Sequence, residues 1–131
     1  MTAPGRILVV EDDESLREAL LEVLGDEGHE VRVAEHGADA LETLDGWEPE
    51  VLVLDLMMPV MDAFECREQQ RRRAAALGAR VLGLSAARDL GGAAERLDAD
   101  AYLAKPFRLD EMLTTVDRLL DDHRAEGAAG R

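Results

Sequence analysis

Four short apolar runs in this sequence each lead into side chains that can do chemistry. Ile7–Val10 runs into Glu11-Asp12-Asp13 and Val51–Leu54 into Asp55, while Val81–Leu84 meets Ser85 and Ala101–Leu103 is followed closely by Lys105. The acidic triplet alone suits a helix N-terminus equally well, because carboxylates complement the macrodipole there. Ser85 alone suits a turn, and Lys105 alone a surface charge. Asp55 is different, since a charge ending a fully apolar strand is costly unless paired. Gathered into one crevice, these carboxylates would repel one another, and a hard divalent cation relieves that. Mg²⁺ takes one or two carboxylates, keeps several waters and welcomes phosphate oxygens. Lys105 would add a second positive charge, and Ser85 could hydrogen-bond a phosphoryl oxygen. Such a set cradles a phosphoryl group carried by Asp55 while charge spreads over its oxygens. An aspartyl phosphate is a labile mixed anhydride, which suits a signal that must decay.

Those side chains meet only if the apolar runs become neighbouring strands. The first two runs are continuously apolar and β-branched, the pattern of strands covered on both faces by helices. Glu30–Ala34 alternates instead, as a strand nearer an edge does. Between the strands, Leu16, Leu20, Val23 and Leu24 form one helical stripe, which Ser15 and Glu18 could open as a capping box. Ala40, Leu41 and Leu44 mark a second helix, residues 64–77 a third and residues 88–97 a fourth. Gly91 and Gly92 weaken that fourth helix by about 1 kcal/mol each relative to Ala. Leu109, Met112, Leu113, Val116, Leu119 and Leu120 define the last, and from His123 the chain reads as a frayed tail. Five β-then-α units predict a three-layer (βα)5 doubly wound parallel sheet in residues 1–122, since a barrel would need eight. In such sheets ligands bind beyond the carboxyl ends of the strands, where strand order reverses.

Composition narrows the function classes. The chain has 131 residues and a formal charge of −14, so it fits one domain and argues against a nucleic-acid backbone as partner. Four aromatics, Trp47, Phe64, Tyr102 and Phe107, cannot build a base-stacking platform. No apolar run is long enough for a membrane span, and Met1–Arg6 lacks the apolar core of a secretory signal. The single cysteine, Cys66, excludes an internal disulfide or a cysteine zinc cluster and suits a reducing cytoplasm. Lys105 is the only lysine among fifteen basic residues. In that arginine-rich background it is a candidate for chemistry that needs a compact point charge rather than a planar fork.

Taken as an ordered set, Ile7-Leu-Val-Val-Glu-Asp-Asp13, Val51-Leu-Val-Leu-Asp-Leu-Met-Met-Pro-Val-Met-Asp62, Leu84-Ser-Ala86 and Tyr102-Leu-Ala-Lys-Pro-Phe107 resemble the bacterial response-regulator receiver domain of two-component signalling. The resemblance covers roughly residues 6–122. It implies a flavodoxin-like strand order 2-1-3-4-5, an acidic pair at Glu11 and Asp12, and a phosphoacceptor at Asp55. It also implies a hydroxyl at Ser85, a lysine at Lys105, a switch aromatic at Tyr102, and Mg²⁺ held by Asp12, Asp55 and the carbonyl of Met57, with Glu11 beside them. Its partners would be a histidine kinase or histidine phosphotransfer protein, and a downstream effector protein or output domain; nothing after residue 122 offers such a domain. Such a protein is no classical enzyme, although it catalyses its own phosphotransfer and dephosphorylation. Ala63 and Asp98 stand where the family commonly has Gly, and Arg108 where a Ser or Thr cap is frequent. None of these departures touches the chemical positions.

Other residues carry blander expectations. His29, His36 and His123 read as surface histidines, Cys66 as a packed thiol, Met57, Met58 and Met61 as filler, and Arg71–Arg73 as a solvated helix face. Trp47 beside Pro49 reads as a lid over the lower end of the sheet. Two rival classes of function exist, an enzyme and a pure binding module. A small hydrolase could use Gly83-Leu-Ser85-Ala-Ala87 as a nucleophile elbow with His123, but the final Gly is missing. An aspartate-nucleophile phosphatase would want an acid at Met57, and no phosphate-binding loop for a nucleotide is present. A phosphorylation-independent binding module of receiver fold would be expected to lose an acid, the aspartate or the lysine, and all are here.

Overall fold

Ile7–Val10 and Val51–Leu54 carry no polar side chain, so strands made from them need cover on both faces. The computed structural model describes residues 3–55, 78–86 and 99–129 and supplies that cover. Strands β1 (Arg6–Val10), β2 (Glu30–Ala34), β3 (Val51–Asp55), β4 (Arg80–Ala86) and β5 (Ala101–Lys105) form one parallel sheet in the order β2-β1-β3-β4-β5. Helices α1 (Glu14–Asp26), α2 (Gly37–Leu44) and α3 (Leu109–Ala129) lie between and after them. This is the expected doubly wound arrangement, with the outer strand β2 alternating as predicted. The helices expected over residues 64–77 and 88–97 lie outside the described residues, as do Cys66, Met57, Met58, Met61, Ala63, Asp98 and Arg71–Arg73.

Side chains alternate across each strand, so the sheet has two cores. Ile7, Val9, Val51, Val53, Leu82 and Leu84 face α1 and α3, meeting Leu20, Leu24, Met112, Val116 and Leu120. Leu8, Val10, Leu52, Leu54 and Val81 face α2, where Ala40, Leu44 and Trp47 close the other side. Trp47 is buried, with the guanidinium of Arg32 stacked 4.7 Å above its ring. Among the described residues no helix is long and apolar enough to cross a membrane.

Three local expectations change. The cap of α1 is Asp13, whose Oδ1 accepts from Leu16 N–H at 3.2 Å, rather than a Ser15–Glu18 box. The helix already starts at Glu14, which places Ser15 inside its first turn. The chain from His123, expected as a frayed tail, continues α3 to Ala129. Long-range bonds hold it there: Arg124 donates to the carbonyls of Ala3 and Pro4, both at 2.9 Å, and to Glu50 Oε2 at 3.2 Å. Arg80 grips Glu126 and the Asp122 carbonyl, and His123 bonds the Gly78 carbonyl. Burial alone would raise the Glu50 pKa, but bonds from Arg124 and the Arg6 amide hold it below the ordinary carboxylate value.

The third change is His29, which is 6% exposed rather than on the surface. Gly28 turns the chain at φ +93°, after α1, a conformation that a side chain would strain. That turn tucks the imidazole under the first strand, where its Nδ1 accepts from Gly5 N–H at 3.0 Å. Gly5 itself leaves no room for a side chain, since a Cβ would sit 2.7 Å from Leu120 Cδ2.

His29 generates a pH prediction. Burial lowers its pKa, outweighing the pull of Asp117 and Glu27; Glu50 adds to that pull, and Arg124 opposes it. The folded ring therefore stays neutral while the unfolded ring protonates near pH 6.5, so stability is lost as pH falls through that value. Melting temperatures from pH 8 to 5.5 should fall for the wild type and fall less for His29→Asn, which keeps an acceptor. His29→Ala at pH 8 should cost about 1–3 kcal/mol by orphaning the Gly5 amide.

Candidate functional site

Strand parity builds the site. Glu11, Asp55 and Lys105 continue the alternation of Val9, Val53 and Leu103, so all three emerge on the α1 and α3 side of the sheet. Asp55, Ser85 and Lys105 are themselves strand residues, since β3, β4 and β5 run farther than their apolar runs suggest. The ladder pairs Asp55 with Leu84, Ser85 with Ala104 and Ala86 with Lys105. Each functional side chain therefore hangs from a backbone held by its neighbours, which fixes its position better than a loop would.

Glu11 follows β1, and its amide donates to the Ala34 carbonyl at 3.1 Å. Its carboxylate is fully buried, accepts from the Asp13 amide at 3.1 Å and takes Lys105 Nζ on both oxygens, at 3.1 and 2.9 Å. Lys105 Nζ also lies 3.4 Å from Asp55 Oδ2, and Asp55 is 2% exposed. Asp12 is half-buried, and oxygens of Glu11, Asp12 and Asp55 lie within 4.8 Å of one another. Ser85 is buried, and its Oγ has no hydrogen-bond partner among the described residues. Tyr102 is 46% exposed on β5, three residues before Lys105.

The structure thus brings Glu11, Asp12, Asp55 and Lys105 together, with Ser85 on the strand between β3 and β5. Met57, the expected carbonyl ligand, lies outside the described residues. Asp13 is engaged as the α1 cap. An open cleft of about 560 Å³ adjoins Lys105, floored by Leu16, Phe107 and Leu109. Neither the cleft nor the bidentate grip of Glu11 on Lys105 could be read from spacing, because both join segments far apart in the chain.

Electrostatics explain the pairing. Burial pushes the Glu11 pKa up to about 7; the hydrogen bond from Lys105 opposes this, and the charge of Asp55 adds to it. Burial disfavours the Lys105 charge as well, yet Glu11 and Asp55 outweigh it and hold the ammonium above its ordinary pKa. Among the described residues one cation thus faces three acids. Its ligands are all hard oxygens, the donor set that Mg²⁺ prefers. The unpartnered Ser85 hydroxyl is a second mark of fit, since buried polar groups normally find partners. The residues present therefore suit a small divalent cation with a tetrahedral oxyanion beside it.

The response regulator receiver domain family matches residues 7–117. The response regulator MprA of Mycolicibacterium vanbaalenii is 39% identical over 133 residues, which cover 96% of this chain and 57% of that protein. MprA of Mycobacterium tuberculosis is 40% identical over 126 residues, 95% of this chain and 54% of that protein. The chain spans about half the length of the curated relatives it matches. Among solved structures, a putative response regulator from Chloroflexus aurantiacus is 31% identical with a TM-score of 0.79, covering 91% of this chain and 99% of that one. A CheY-like receiver domain protein from Methanospirillum hungatei shares the fold at a TM-score of 0.82 and 24% identity, covering 95% and 99% of the two chains. With the 2-1-3-4-5 sheet already established, these matches lead to one conclusion: the chain belongs to the response regulator receiver domain family of two-component signalling.

Proposed function

We propose that Asp55 accepts a phosphoryl group from a histidine kinase or histidine phosphotransfer protein in the cytoplasm, and that this switches a docking face for a downstream effector protein or output domain. The observation that carries the reading is Asp55 at the end of a buried strand, 3.4 Å from Lys105, with a buried Ser85 hydroxyl on the next strand that has no partner among the described residues. One Asp55 carboxylate oxygen attacks phosphorus as the P–N bond of a phosphohistidine breaks, and the freed imidazole takes up a proton. Asp12 and Asp55, with Glu11 alongside, would hold Mg²⁺, which would supply positive charge against the phosphoryl oxygens. Lys105 is fixed on the strand adjacent to Ser85 and brings an ammonium to the same oxygens. The Ser85 hydroxyl donates to one of them and gains the partner it lacks. Asp12 and Glu11 hold the site negative until it is loaded. Later attack of water on phosphorus breaks the new P–O bond, returns Asp55 and ends the signal. Tyr102, exposed on β5, is the residue through which movement at Ser85 reaches the outer face.

Incubation with Mg²⁺ and a small phosphodonor should add one phosphoryl mass to the intact protein. Asp55→Asn should abolish it, and chelator should prevent it. An acid-stable phosphate on Asp55→Asn would overturn this reading and favour chemistry at Ser85.

Lys105→Ala should slow phosphorylation about 100-fold, the usual cost of removing one preorganised charge donor. Lys105→Arg should not restore phosphorylation-dependent partner binding, because the broad guanidinium cannot place a point charge there. Stopped-flow phosphorylation and partner binding measure the two effects.

Asp12→Asn removes a ligand and also relieves repulsion within the acidic cluster. In chelator the variant should melt at or above the wild-type temperature, and added Mg²⁺ should no longer raise it. A clearly lower melting temperature in chelator would remove the repulsion argument.

A further inference from the structure

The loop that carries the acids is anchored mostly by its own neighbours. The Asp13 amide bonds Glu11 Oε1, and Asp13 Oδ1 caps α1. Beside the bonds that Glu11 makes to Ala34 and Lys105, a further one comes from α1: Arg17 sends Nη1 back six residues to the Glu11 carbonyl oxygen at 3.0 Å. The Arg17 amide donates to the Asp13 carbonyl at 2.8 Å, so this residue touches the loop at both ends. Arg17 is half-buried, with Glu14 and Glu18 near it in sequence, yet among the described residues it bonds the backbone carbonyls of Glu11 and Asp13.

The Glu11 carbonyl and the Asp12 amide share one planar peptide unit. A bond that fixes the carbonyl therefore fixes the plane from which Asp12 hangs, and so narrows the directions open to the Asp12 carboxylate. That carboxylate is one of the three whose oxygens converge within 4.8 Å. A guanidinium donor makes the bond stronger than a neutral one would be. We propose that Arg17 is a positioning residue for the divalent cation, holding the Glu11–Asp12 peptide so that Asp12 is oriented before the metal arrives. The inference rests on the reading that Asp12 and Asp55 hold Mg²⁺.

The test uses the full chain with Mg²⁺ as the probe. Arg17→Met keeps the apolar stem and removes the donors, whereas Arg17→Lys restores one charged donor. Calorimetric titration should show Mg²⁺ binding about tenfold weaker in Arg17→Met, as loss of an outer-shell partner usually gives, and largely recovered in Arg17→Lys. In chelator the ¹⁵N resonance of the Asp12 amide should move in Arg17→Met while the melting temperature changes little. Wild-type affinity in Arg17→Met would overturn the inference while leaving the metal site standing. So would weaker binding that merely tracks a lower melting temperature with no recovery in Arg17→Lys. If Arg17→Met does not fold, Arg17→Gln takes its place, with weakened binding expected and unchanged binding decisive against. Absence of Mg²⁺ binding by the wild type, or undiminished binding by Asp12→Asn, would instead overturn the metal-site reading, and this inference with it.

Discussion

Everything at the carboxyl end of this sheet depends on how three acids are held beside one ammonium. Glu11 and Asp55 are almost wholly removed from water at the ends of apolar strands, and an unpaired buried charge costs several kcal/mol. Lys105 offsets that cost by bonding both Glu11 oxygens and lying close to Asp55. The compensation is incomplete, as the raised Glu11 pKa shows. An acidic cluster with one cation too few is a standing attraction for a second. The fold thus keeps the site assembled at some electrostatic expense.

The sheet makes this arrangement possible through parity alone. In parallel strands every second residue faces the same helices, so Glu11, Asp55 and Lys105 reach one side by continuing the alternation of the apolar residues before them. Ser85 and Tyr102 have the opposite parity on β4 and β5, so their side chains leave the sheet on the other face. A one-residue slip in any of these strands would send its functional side chain to the wrong face. Burial of Val51–Leu54 and Leu82–Leu84 is what prevents the slip. Core packing therefore sets the registry of the site.

The opposite end of the sheet is held by different means. Arg124, Arg80, His29 and Glu50 tie the first residues of the chain and the last turns of α3 to the amino ends of the strands. These bonds join residues up to 121 positions apart.

The sequence by itself determined the layers, the five strands and the chemical residues at their ends, because local periodicity and the apolar runs carry that information. The family motif added the strand order. What the tertiary structure decided is whatever depends on distance across the fold. Asp13 rather than Ser15 caps α1, since the strand ends one residue before the acids and the helix starts just after them. His29 is buried because Gly28 turns it under Gly5, and residues 123–129 are helical because Arg80 and the carbonyls of Ala3 and Pro4, far away in the chain, receive them. The grip of Glu11 on Lys105 spans 94 positions, and the reach of Arg17 to a backbone carbonyl has no residue-type signature. Periodicity reports which face a side chain takes; only packing brings two such faces within hydrogen-bond distance.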